Sequence, residues 1–358
     1  MQMNNRKNIW EILSNASLVE GEQPMLEAES PWYIKLFLSI SGWFGALFLL
    51  LFIGGSVALM MGRNLENYPV LLIFIGAGLI FFSYNMFKNK QSDFMEHFIL
   101  ALSVAGQAMI IAALIFMFGY RTDEVIFIFM ALLQAFLMWV VPNYIHRMMS
   151  SFFMALSLTY VFFEIGLPSI SIIFLTFAVA WLWINEFKWN NHKRVEAIGY
   201  GMTAALVFIQ YSVLVTPYYL YELSNFDNAL YLYIGFMKLG SFLTLVYVVW
   251  KLLGENSKLN DNKVVMLSIV GLILLGVISF YVEGLVFSVL LLLIGFAHAH
   301  HLLTGLGVFS SLAFISNYYY YTGETLMDKA GLLFLLGLGL ILSRFIIKTV
   351  LNKEASDV

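Results

Sequence analysis

Apolar stretches of roughly twenty residues follow one another along nearly the whole chain, with only short polar turns between them. In water a helix needs one polar face. Most of these stretches are apolar all round, which suits a helix surrounded by lipid or by other helices. Only 11% of the residues are charged, against about 25% in soluble domains, so a soluble globular fold is excluded. The expected fold class is all-α: a polytopic helical membrane protein.

Hydropathy windows predict about twelve spans. They are Tyr33–Met61, Tyr68–Phe87, Phe98–Gly119, Val125–Val141, Met148–Phe163, Leu167–Ile184, Val195–Leu214, Ala229–Leu253, Val264–Phe280, Leu285–His298, Leu302–Tyr321 and Leu326–Val350. Tight hairpins are expected around Glu164–Pro168 and around Glu283. Leu285–His298 is short for a full crossing. Residues 1–32 read as a polar cytoplasmic arm with no apolar signal region, 33–350 as one transmembrane domain, and 351–358 as a cytoplasmic tail.

Charge tests this topology independently. Of the 19 Lys and Arg residues, only Arg63, Arg121 and Lys329 fall outside when the N-terminus is placed in the cytoplasm. Lys238 falls within a span, and every other basic residue falls on the cytoplasmic side. The asymmetry predicts an even number of spans with both termini inside. The outer face is acidic and rich in tyrosine, notably in TPYYLYELSNFDN at 216–228 and at Tyr318–Tyr321. An acidic outer face and the lack of a soluble domain exclude nucleic acid as a partner. The chain has no cysteine, so disulfides and thiol chemistry are excluded too.

Lys238 is the most informative single residue. It lies roughly 13 Å below the start of Ala229–Leu253 at 1.5 Å per residue. Tyr231, Gly235 and Ser241 fall within about 60° of it on the helical wheel, a stripe suited to other helices rather than lipid. Glu164, Glu222 and Glu283 are its candidate partners, because Lys238 descends from their side. Gln107, Gln134 and Gln210 lie within spans and either bridge helices or line a cavity. Two readings of Lys238 follow: a substrate, ion or proton site, or an interhelical ion pair.

Histidines gather at cytoplasmic edges. His298 and His301, in AHAHH, could share a metal if that segment stays helical. No carboxylate is adjacent in sequence, and an interfacial turn with imidazoles among headgroups is the simpler expectation. Neither a metal nor another cofactor is therefore expected. FFEIGLPSISIIF at 162–174 and YVEGLVFSVLLLL at 281–293 each place a Glu before Gly-Leu and an apolar run. Such internal repeats are common in transporters, though short apolar segments also match by chance.

The chain resembles a family of bacterial multipass membrane proteins, domain-of-unknown-function family 4401. The resemblance rests on PWYIKLFLSISGWFGALFLLLFIG at 31–54, LALSVAGQAMIIAAL at 100–114, AIGYGMTAALV at 197–207 and GFAHAHHLLTGLGVFSSLAFISNYYYYTGETLMDKAGLLFLLGLGLILSRF at 295–345. It implies a bacterial inner membrane, and as partner a small membrane protein of the GDYxxLxY type. The family carries no assigned activity. No motif or cluster of catalytic side chains is visible, so a non-enzymatic scaffold, sensor or envelope-associated role is expected. A transporter or permease using Lys238 with an outer carboxylate is the alternative.

Overall fold

The computed structural model describes residue 14 and residues 31–61, 68–89, 92–119, 123–215, 227–255, 261–279, 282, 284–321, 325–331, 334, 337–338 and 341. The arm at 1–32 and the last span fall largely outside the described residues, and the tail at 351–358 wholly so. The described residues are all-helical, with no strand among them. The helices are α1 (Trp32–Met61), α2 (Pro69–Met86), α3 (Asp93–Phe118), α4 (Asp123–Val140), α5 (Tyr144–Glu164) and α6 (Pro168–Ile184). A 3-10 turn at Glu186–Lys188 leads to α7 (His192–Val215), α8 (Asp227–Glu255), α9 (Asn262–Ser279), α10 (Leu285–Ala297) and α11 (His301–Tyr321).

Local chemistry sets the ends. Pro69 and Pro168 open α2 and α6, where a missing N–H costs nothing. The Asn143 side chain accepts a hydrogen bond from the His146 backbone N–H at 2.8 Å and caps α5. Asp93 and Glu96 sit in the first turn of α3, where the helix dipole favours negative charge. Several helices run past their apolar windows into polar turns: α3 starts at Asp93 rather than Phe98, α5 at Tyr144 rather than Met148, and α7 at His192 rather than Val195.

The α2, α3, α8 and α9 segments Pro69–Met86, Asp93–Phe118, Ile234–Glu255 and Asn262–Ser279 are long and apolar enough to cross a membrane. Shorter apolar stretches occur at Leu36–Phe52, Glu124–Val140, Pro168–Ile184 and Leu285–Ala297. Large apolar side chains, among them Phe48, Phe52, Phe74 and Ile273, stand on the surface. Such exposed apolar side chains are consistent with helices that lie in a membrane.

The chain divides at Ile110, within α3, into two compact units. In the first, glycines let backbones meet. A Cβ on Gly76 would lie 2.5 Å from the Gly106 carbonyl oxygen, and a Cβ on Gly106 would lie 2.5 Å from that of Gly76. A Cβ on Gly42 would reach the Phe94 carbonyl oxygen at 2.6 Å. This is small-residue packing, suited to surroundings as apolar as the side chains themselves.

The second unit is built around α6 and α10. Ile172, Val179 and Trp183 of α6 pack with Leu206 of α7, Leu245 of α8, Leu290 and Ile294 of α10, and Phe314 of α11, all almost fully buried. α10 spans only about 20 Å at 1.5 Å per residue, short of a bilayer core of about 30 Å. Because protein surrounds most of it, its length need not match a lipid layer. The expected hairpin at Glu164–Pro168 is present: α5 ends at Glu164, and Gly166 turns the chain with φ +75°. Gly284 precedes α10 with φ +76°, so the two similar sequence segments share a left-handed glycine before a central helix. Such φ values are open to glycine at little cost.

Candidate functional site

Lys238 lies on α8 one helical turn before Ser241, so the two side chains share a face. That face meets Gln210 of α7, Ser279 at the end of α9, and Val282 and Gly284 before α10. Together they line a cavity of about 40 Å³, room for roughly three waters. Ser241 and Gln210 are buried, and Lys238 is half-buried. The cavity persists because its walls are anchored elsewhere. α8 is held against α6 where Gly240 meets the Ile173 side chain. α9 is held against α8 where a Cβ on Gly276 would lie 3.2 Å from the Phe242 ring. A Cβ on Gly284 would collide with the Phe314 ring at 2.7 Å. The Ser279 hydroxyl donates to the Gly276 carbonyl at 2.6 Å.

The structure thus brings Lys238 and Gln210 of the expected polar site together with Ser241 of the predicted stripe. Gly235 is exposed with nothing near it, so the stripe predicted around Lys238 is only partly an interface. Glu164 closes α5 and is not among the lining residues. Glu222 and Glu283 lie outside the described residues, although Val282 and Gly284, on either side of Glu283, both line the cavity. Gln134 is buried on α4 and is likewise not a lining residue. Gln107 belongs to the first unit, where its amide donates to the Ser103 hydroxyl of its own helix at 3.4 Å.

A second polar cluster forms where α6 turns into α7. The Asn185 amide donates to the Trp181 carbonyl at 2.7 Å, and the 3-10 turn then carries Glu186 beneath the surface. Its side chain is 1% exposed. Burial of a carboxylate requires a compensating partner. His300 supplies it from the α10–α11 connection, its Nε2 lying 2.7 Å from Glu186 Oε2. The Tyr200 hydroxyl stands 3.5 Å from Nδ1 of the same ring. Trp183 packs edge-on to His300 at 5.2 Å and donates through Nε1 to the Thr203 hydroxyl at 2.9 Å.

Backbone geometry places that imidazole. The His300 N–H donates to the Gly295 carbonyl and the Ala299 N–H to the Phe296 carbonyl, a Schellman ending with Ala299 in the left-handed region at φ +55°. The helix therefore breaks between His298 and His301, and the condition for their sharing a metal on one helix is not met. His298 Nδ1 turns back to the Ile294 carbonyl at 3.3 Å, and His301 is exposed.

On the other side of Glu186 stand His192 and Glu196, one turn apart at the start of α7. One ligand atom each from Glu186, His192 and Glu196 lie within 4.8 Å of one another. Sequence reasoning missed this trio. The available signal was His-x3-Glu at helical spacing, hidden because the apolar window opened at Val195.

The described residues are apolar and all-helical, and among them lie a cavity bordered by Lys238 and a histidine–carboxylate cluster; these features define the class. The chain belongs to the family described as Domain of unknown function (DUF4401), which matches residues 31–350. Comparisons with curated proteins and with solved structures find no match.

Proposed function

We propose that this protein is a polytopic protein of the bacterial inner membrane, with about twelve spans and both termini cytoplasmic, that passes a small polar solute or proton through the Lys238 cavity. The observation that carries the reading is the cavity itself: Lys238, Gln210, Ser241 and Ser279 are among the residues that α7, α8 and α9 bring to its lining. Lys238 lies about 16 Å along α8 from Asp227, near the depth of a bilayer midplane. Ionisable groups at that depth are costly and mark solute or proton pathways.

The absence of cysteine makes the full chain a ready background for the test. In liposomes, Gln210→Cys and Ser241→Cys should react with a water-soluble methanethiosulfonate at least 10-fold faster than Ile273→Cys on the exposed face of α9. Lys238→Met should abolish flux reported by an entrapped pH-sensitive dye, at unchanged abundance. Labelling of the cavity cysteines no faster than Ile273→Cys, together with unchanged flux in Lys238→Met, would refute the reading.

A scaffold or sensor role is the second reading. It is favoured by the almost wholly uncovered apolar faces of α9 and α1, which suit a small membrane protein such as the GDYxxLxY type. Crosslinking from Ile269→Cys to a co-expressed partner of that type would support it.

A further inference from the structure

We propose that Glu186, His192 and Glu196 bind a divalent transition-metal ion, with zinc as the best fit, at the α6–α7 turn. The three ligand atoms already lie within 4.8 Å of one another. Tetrahedral zinc with bonds of about 2.1 Å needs ligands about 3.4 Å apart, so the atoms must draw in by little more than 1 Å. His192 is exposed and Glu196 half-buried, so both rotate freely enough to do so. One imidazole and two carboxylates form a donor set that suits zinc, manganese or ferrous iron and leaves a coordination position for water.

The independent observation is Glu186 itself. Its side chain is 1% exposed, and Oε2 is taken by His300. Oε1 is equally buried and has no hydrogen-bond partner. Folding the chain around a half-satisfied carboxylate is costly, and an ion bridging to His192 and Glu196 would satisfy that oxygen. The groups around the trio resemble the outer shell of metal sites. His300 holds Oε2 of Glu186, and the Tyr200 hydroxyl stands 3.5 Å from Nδ1 of His300. The Phe187 ring lies nearly parallel to His192 at 6.5 Å. Ligating carboxylates are held in this way so that their oxygens point at the ion.

The pair His192 and Glu196 also tests cleanly, because neither is deeply buried. Full-length untagged protein in detergent is dialysed against a zinc buffer, and bound metal is counted by mass spectrometry and titrated by calorimetry, with manganese as comparator. Wild type should retain about one zinc per chain and melt several degrees higher with zinc than without. His192→Ala and Glu196→Gln should each weaken zinc binding at least 10-fold and lose the thermal shift, while eluting as wild type does. Glu186→Gln is read only alongside them, since its burial can compromise folding. The proposal is overturned if wild type retains no zinc, or if both surface variants retain it as wild type does.

Discussion

α9 and α10 are neighbours in the chain and equally apolar to the eye, yet they live in different surroundings. Almost none of α9 is buried, and Met266, Ile269, Ile273 and Val277 stand on the surface. α10 is enclosed: Val286, Phe287, Leu290, Leu291 and Ile294 are almost fully buried. In water these faces would differ in polarity. Next to lipid, apolarity carries no information about burial, and small residues mark the difference instead. Gly295 of α10 touches the Thr304 backbone, where a Cβ would lie 2.7 Å from its nitrogen, whereas Gly271 of α9 has nothing within 4 Å.

Substitutions can break or sharpen this contrast. Gly295→Val should be the most damaging, because the obstacle is backbone and cannot rotate away; a loss above about 3 kcal/mol would appear as failure to elute as a single species in detergent. Leu290→Ala should cost about 2–5 kcal/mol in thermal or denaturant unfolding through the cavity it leaves. Gly271→Ala should stabilise by about 0.5–1 kcal/mol, since the new methyl meets no neighbour and the helix gains propensity. Ile273→Ala should change stability by less than about 0.5 kcal/mol, because its side chain stands on the surface. Equal losses for Leu290→Ala and Ile273→Ala would mean that α9 is covered by something in the assembled protein.

Helix positions were legible in the sequence because apolar runs and prolines mark them: Leu285–His298 became Leu285–Ala297, and Leu167–Ile184 became Pro168–Ile184. What escaped lay at polar ends and at long range. A hydropathy window ends where charge begins, so it cut His192 from the helix that holds Glu196. No local pattern announces that Glu186 meets His300, more than a hundred residues away. The Lys238 site was half legible. Its own helix gave the Lys238–Ser241 face and Gln210 was already a candidate for a cavity lining, while Ser279 joined it only through packing.

The Gly76–Gly106 contact of the first unit has a consequence for how this chain can vary. Each position is closed first by the other's carbonyl oxygen, which no second side-chain change could shorten, with Ile110 and Ile80 side chains close behind. No compensating substitution at one site opens the other, so saturation mutagenesis should return glycine alone at both. Gly78, two residues along and open on every side, should accept most apolar residues.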